Sequence, residues 1–82
     1  MMTSQATKDL KATVADNIRT ARRAQGWTQR ELAARVNEVD SMAVSRWERG
    51  TSIPNPTNMA ALADALSVDP GWLYTDHERT AA

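Results

Sequence analysis

The 82-residue sequence predicts an all-α fold, a compact five-helix bundle. Three observations lead to this prediction. Apolar residues recur at helical spacing in successive segments, polar capping residues or prolines precede several of these segments, and no stretch alternates apolar and polar residues as a half-buried strand does. The chain is long enough for one domain with a modest core. The sequence contains no cysteine, so neither disulfides nor thiolate metal sites contribute to the fold.

The first helix is predicted from about residue 13 to residue 25. Val14, Ile18 and Ala21 are spaced by four and three residues, which places them on one face of a helix. Gly26 follows this pattern and is typical of a helix end.

Both ends of the chain are polar. Residues 1–12 show no clear apolar face, so we expect a flexible or loosely helical N-terminal arm. Residues 76–82 form an expected flexible tail, and its lone histidine, His77, is expected to be a surface residue. Residues 13–75 are then the folded domain.

The second predicted helix has a strong start signal. Thr28 and Glu31 have the spacing of a capping box, in which each side chain bonds the other's backbone N–H. Trp27 and Leu32 flank this box at the positions of a hydrophobic staple. The helix is predicted to continue to about Val36.

The third predicted helix begins after Asp40, whose carboxylate can cap its first turn, and ends at Gly50. At about 100° per residue, Val44 and Trp47 fall on its inner face. The outer face and its flanks are small and cationic and consist of Ser41, Met42, Ser45, Arg46 and Arg49. Because only residues 37–39 separate it from the second helix, the pair suggests a helix-turn-helix.

Two more helices are predicted from proline starts. Asn55 can cap a fourth helix with Pro56 at its first position, and Asp69 with Pro70 repeats the arrangement for a short fifth helix. The buried stripe of the fourth helix is predicted to consist of Met59, Leu62, Ala63 and Leu66.

The charge is unevenly distributed although the net charge is zero. Residues 14–50 carry seven arginines against five acidic residues, whereas residues 51–82 carry one arginine against four. A small cationic helix face in the basic half suits entry into a DNA major groove, but an ordinary amphipathic surface helix has the same pattern. No apolar run is long enough for a membrane span and no signal peptide is evident, so we expect a cytoplasmic location.

Several stretches with fixed spacing resemble the Cro/repressor-type (XRE-like) helix-turn-helix family, which includes the DNA-binding domains of lambda-like phage repressors. They are TQRELA at residues 28–33, VSRWERG at residues 44–50, Pro54, and ADALSV at residues 63–68. The resemblance covers roughly residues 14–74. It implies a lambda repressor-like fold and a sequence-specific regulator of transcription that binds double-stranded operator DNA, most simply as a homodimeric phage or prokaryotic repressor.

The resemblance also implies a role for individual residues. Base reading is implied for Ser41, Met42 and Arg46, with Ser45 adjacent. Contacts with the DNA backbone are implied for Thr28, Gln29, Arg30, Arg49, Ser52, Asn55 and Asn58. Arg46 is the strongest candidate, since a guanidinium can pair bidentately with guanine. The alternative for each residue is an ordinary solvated or capping side chain.

A structural ion pair between Arg22 and Glu48 is also implied by the resemblance, which matches Glu48 to an acid that pairs with an arginine of the first helix. One departure from the family is visible. Eight steps separate Val36 from Val44 where the family usually has seven, so the turn between the second and third helices is one residue longer.

The acidic, apolar C-terminal part is the predicted dimer surface, which we assign to Trp72, Leu73 and Tyr74. No catalytic constellation is present in the sequence, so we predict no enzymatic activity, no metal site, no cofactor and no small-molecule ligand. Two alternatives to a repressor stay open. One is the antitoxin of a toxin–antitoxin pair, and the other is a protein-interaction module that does not bind DNA.

Overall fold

The structure, a computed structural model, describes residues 2–36 and 39–77, with side chains from residue 10 onward. Five α-helices follow one another in these ranges: α1 (Met2–Ala24), α2 (Gln29–Arg35), α3 (Ser41–Glu48), α4 (Pro56–Leu66) and α5 (Pro70–Tyr74). Neither range contains a strand, and the prediction of an all-α, five-helix fold is confirmed. No helix among the described residues is long and apolar enough to cross a membrane.

The helix starts follow the capping signals of the sequence. Thr28 Oγ1 accepts a hydrogen bond from the Glu31 N–H at 3.0 Å, and Glu31 Oε1 accepts one from the Thr28 N–H at 2.8 Å, which completes the predicted capping box. Asp40 and Asn55 each accept a bond from the backbone N–H three residues further on. Asp69 stands at the same place before α5 but makes no capping bond through its side chain. The start of α5 therefore depends on its proline and on packing.

The first helix begins at Met2, eleven residues before its predicted start at residue 13. The prediction was based on the apolar stripe, and the stripe marks where the core begins, not where the helix begins. Residues 2–12 contain no glycine or proline, so the helix can continue beyond the part that packs on the core. The burial pattern agrees, because Leu10 is exposed whereas Val14 is buried.

One core contains side chains from all five helices. Each helix contributes one completely buried apolar residue, and these are Ile18, Leu32, Val44, Leu62 and Leu73. The predicted inward-facing residues of the first four helices are all buried. The apolar stripes read from the sequence are thus the surfaces by which the helices pack together.

Leu73 corrects the predicted dimer surface. Its exposed fraction is 0%, so it cannot contact a second chain. α5 packs against both α1 and α4. Leu73 is the residue that this five-residue helix buries in the contact. Trp72 is half-buried against the same core, whereas Tyr74 is 43% exposed.

The C-terminal end of α5 is held by Asn17, a residue that the sequence patterns did not single out. Asn17 is completely buried on α1, and its Nδ2 atom donates to the carbonyl oxygens of Trp72 at 3.1 Å, Leu73 at 3.0 Å and Thr75 at 2.8 Å. The last carbonyls of a helix have no partner within that helix, and leaving them unbonded inside a protein is costly. Asn17 therefore stabilises the end of α5 against α1.

His77 is not the free surface residue that the sequence suggests. Its ring stacks on Trp72 with the ring centroids 4.2 Å apart, and Nε2 lies 2.8 Å from the Trp72 carbonyl oxygen. Within the predicted tail, the ring of His77 thus lies against α5. Residues 78–82 lie outside the described part of the chain.

We predict opposite outcomes for two adjacent residues of α5. Leu73→Ala leaves a cavity in the core and should lower the free energy of unfolding by about 2–5 kcal/mol. Tyr74→Ala removes an exposed ring and should change it by less than about 0.5 kcal/mol. Urea unfolding followed by circular dichroism measures both. Equal losses for the two variants would contradict the placement of α5.

Candidate nucleic-acid interface

α3 is anchored on its inner side. Val44 is completely buried and Trp47 is 5% exposed, so both predicted inward residues pack in the core. At the C-terminal end of the helix, Gly50 adopts a positive φ of 74°, and the Thr51 N–H bonds the Arg46 carbonyl oxygen at 3.1 Å. This is the geometry by which a glycine ends a helix, as the sequence predicted. The orientation of α3 about its own axis is therefore set by burial.

An ion pair between Arg22 and Glu48 joins α1 to α3, as the resemblance implied. It is bidentate: Arg22 Nε donates to Glu48 Oε2 at 2.7 Å, and Nη2 donates to Oε1 at 2.9 Å. The remaining Arg22 nitrogen donates to the Trp27 carbonyl oxygen at 2.8 Å, and Gln29 Nε2 donates to Glu48 Oε1 at 3.1 Å. The network therefore connects α1, α2 and α3 through one buried carboxylate.

The electrostatics of this pair follow from its geometry. The hydrogen bonds to Glu48 raise the pKa of Arg22 above its ordinary value, although burial acts in the opposite direction. Because the pKa of Arg22 is raised, its pairing with the Glu48 carboxylate contributes stability below the ordinary pKa of arginine. This contribution is lost as the pH rises through the raised pKa, beyond any physiological pH.

Arg19 provides a second connection between α1 and α3. Its Nη1 donates to the Glu48 carbonyl oxygen at 2.9 Å, and its Nη2 contacts Asp16 Oδ1 at 2.9 Å. A cation at the last carbonyl of a helix is favoured by the helix dipole. No sequence pattern predicted this contact, apart from the position of Arg19 one turn before Arg22.

The outer face of α3 points away from these anchors. Met42 is 65% exposed, Arg46 is exposed, and Ser41 and Ser45 are half-buried at its edge. Arg49 is exposed just beyond the helix, and its Nη1 donates to Ser45 Oγ at 2.8 Å. The structure thus brings together the four residues predicted to read bases, on one accessible strip. Which of them contact bases stays a prediction.

The residues predicted to contact the DNA backbone fall into two groups. The first surrounds the start of α2: Thr28 is occupied in the capping box, Gln29 is bonded to Glu48, and Arg30 is exposed. Gln29 therefore braces α3, while its predicted contact with DNA stays untested.

The second group follows α3 in the chain. Ser52 is half-buried in the connection to α4, and Asn55 accepts the capping bond at the start of that helix. Asn58 lines a groove of about 600 Å³ between α2, α3 and α4, together with Ala43 and Arg46 of α3. A base-reading candidate and a backbone candidate thus face the same groove.

The longer turn between α2 and α3 includes Asn37 and Glu38, which lie outside the described residues. The predicted departure from the family is therefore not tested here. Among the described side chains, no group of three or more His, Asp or Glu residues could hold a metal ion.

Comparison with known proteins identifies the family. Residues 18–73, more than half of the chain, match the model of a protein family described as helix-turn-helix. The chain belongs to the Cro/C1-type (XRE) helix-turn-helix family. The predicted resemblance is thereby confirmed.

Two curated relatives are similar to it. The chain is 38% identical over 74 residues to the HTH-type transcriptional regulator DicA of Escherichia coli K12. The aligned region covers 89% of this chain and 53% of DicA. It is 36% identical over 55 residues to multiprotein-bridging factor 1 of Schizosaccharomyces pombe, covering 67% of this chain and 36% of that protein. The chain thus spans about half, or less, of the length of these relatives.

Two solved structures share the fold. The P22 c2 repressor in complex with synthetic operator 9T superimposes with a TM-score of 0.74 at 33% identity, over 78% of this chain and 96% of that chain. A hypothetical transcription factor, NHTF from Neisseria, superimposes with a TM-score of 0.79 at 32% identity, over 87% of this chain and 80% of that chain.

The ion pair at the base of α3 generates a stability prediction. Glu48→Gln leaves Arg22 without its carboxylate in a buried setting and should cost about 1–4 kcal/mol of unfolding free energy. Replacing both residues, Arg22→Met with Glu48→Leu, should recover much of the loss. A double-mutant cycle in thermal unfolding measures the coupling.

The matched control is the partly exposed pair of Arg19 with Asp16, whose side chains are 33% and 49% exposed. Asp16→Asn should cost less than about 1 kcal/mol, because surface ion pairs contribute little. A coupling energy near zero for Arg22 with Glu48 would mean that Val44 and Trp47 alone anchor α3.

Proposed function

We propose that this chain is a sequence-specific, double-stranded DNA-binding regulator of transcription, acting as a dimeric repressor on an operator. Steric occlusion is the mechanism: the bound dimer covers DNA that overlaps a promoter. A single domain of this size makes few base contacts, so two half-sites about one helical turn apart are expected.

One observation carries the proposal. α3 buries Val44, Trp47 and Glu48 while leaving a narrow, small and cationic strip exposed, and that strip fits a major groove. The fold supports the same conclusion, since the P22 c2 repressor, which shares it, is bound to operator DNA. DicA is a transcriptional regulator by name.

The experiment is a selection of binding sites from random duplex DNA, followed by titration of the selected site at several salt concentrations. We expect an enriched sequence and an affinity that falls steeply with salt, with a logarithmic slope of about −0.9 for each phosphate neutralised. No enriched sequence and no duplex binding at low salt would end the proposal.

Two substitutions that each remove one positive charge should separate base reading from backbone contact. Arg46→Ala should relax the preference at one base position, because this exposed arginine lies on the outer strip, in the last turn of α3. Arg30→Ala, at the exposed start of α2, should weaken binding to all DNA sequences by the same factor. Repeating the selection with each variant measures this. An unchanged consensus for Arg46→Ala would remove it from the base-reading set.

Dimerisation is proposed through the exposed side of α5, now restricted to Trp72 and Tyr74. Tyr74→Asp should weaken binding to a duplex with two half-sites at least tenfold, while leaving binding to a single half-site unchanged. The half-site duplex is the matched control, because it needs no second chain. Equal weakening on both duplexes would mean that Tyr74 acts on the DNA contact or the fold.

A second candidate function is a protein-bridging role. The observation that favours it is the 36% identity to multiprotein-bridging factor 1, over about two thirds of this chain. An antitoxin role also remains an alternative within the DNA-binding class. A cytoplasmic location without enzymatic activity fits every one of these functions. A role that involves protein partners but no DNA predicts that the selection from random duplex DNA enriches no sequence.

A further inference from the structure

A second groove lies on the other flank of α3, between that helix and α1, with a volume of about 390 Å³. Its floor is made of small residues, namely Ala12, Ala15 and Gly50. Its rim carries three cationic side chains, those of Lys11, Arg19 and Arg49. Neither Lys11 nor Arg19 is among the residues that the sequence motifs assign to DNA.

Two of these cations have no acidic partner among the described side chains. The groove also contains Asp16, but this carboxylate contacts Arg19 at 2.9 Å, and the Glu48 carboxylate is held in the core ion pair. Lys11 and Arg49 are exposed, and neither forms an ion pair with another described residue. The groove therefore presents uncompensated positive charge over a floor that contains no large side chain.

The position of the groove relates it to the outer strip of α3. Ala43 and Ser45 lie about 100° to either side of Val44 on the helix. The groove described earlier borders Ala43, whereas the second groove borders Arg49, which bonds Ser45. A helix that occupies a major groove has one phosphate strand on each side of it. With α3 in a major groove, each strand would therefore pass one of the two grooves.

We infer that the groove between α1 and α3 binds a DNA backbone phosphate, with Lys11 and Arg49 as its cationic ligands. The inference rests on the proposed function and adds a contact from α1. Arg19, held by Asp16 and by the Glu48 carbonyl oxygen, positions the wall of the groove. The contact does not depend on the DNA sequence, because it involves only the phosphodiester backbone.

The test compares Lys11→Gln with wild type on the selected duplex, in fluorescence anisotropy titrations from about 50 to about 200 mM salt. Loss of one phosphate contact in each protomer, two in the bound dimer, should reduce the slope of log K against log salt by about 1.8. Wild type should therefore lose about 12-fold more affinity than the variant across this range. The consensus sequence should not change.

Two variants serve as controls. Arg23→Gln removes the same charge from an exposed position of α1 that borders neither groove, and it should keep the wild-type slope. Lys11→Arg keeps the charge and should also keep the slope. Circular dichroism checks that each variant remains helical. If Lys11→Gln and Arg23→Gln have the same slope, the inference is overturned.

A second measurement locates the phosphate. Methylphosphonate substitution neutralises one phosphate at a time, and one position in each half-site should weaken wild type more than it weakens Lys11→Gln, in which only Arg49 still contacts that phosphate. If every position weakens both proteins equally, Lys11 contacts no phosphate. If the wild-type protein binds no duplex, the proposed function itself is refuted. If it binds, but Lys11→Gln leaves the salt slope unchanged, only the phosphate contact of Lys11 is refuted.

Discussion

The bidentate pair of Arg22 with Glu48 is the interaction on which the arrangement of this domain depends. It lies where α1, α2 and α3 meet, and it also involves the Trp27 carbonyl oxygen and the Gln29 amide. A buried carboxylate requires such partners, because desolvation without them costs more than any single contact returns. This requirement constrains two helices. α3 must lie where its Glu48 meets Arg22, and the start of α2 must place Gln29 beside the same carboxylate.

This constraint gives α3 two different sides. Val44, Trp47 and Glu48 are buried and determine its rotation, so Met42 and Arg46 must face solvent. A reading helix needs such rigid support, since a small rotation about its axis would move each outer side chain away from a base edge. The grooves on either side of α3 are a consequence of the same packing. One is bordered by α2 and α4 and the other by α1, and the lining of each includes alanines and at least one arginine.

The far end of the domain depends on a different polar contact. α5 has only five residues and lacks a side-chain cap, so it is not stable alone. Leu73 anchors it in the core, and Asn17 bonds the carbonyl groups at its end. His77 then packs on Trp72 and covers part of the outer side of this helix. The surface available for a second chain is therefore smaller than three consecutive apolar residues suggest.

Local sequence determined what is local in this protein. Helix identity, the caps at Thr28 and Asp40, the glycine ends and the inward stripes all depend on residues within one or two turns of each other, so periodicity and capping rules found them. The outer strip of α3 followed from the same helical wheel, and the pair of Arg22 with Glu48 followed from the family resemblance. The extent of α1 could not be read in this way, because a polar stretch without glycine or proline is compatible with both helix and coil. Only the tertiary structure decided the contacts of Asn17, Arg19 and His77, the burial of Leu73, and the groove at Lys11. Each of these contacts joins groups from separate elements of the fold, or depends on which side of a very short helix meets the core. Neither property leaves a periodic trace in the sequence.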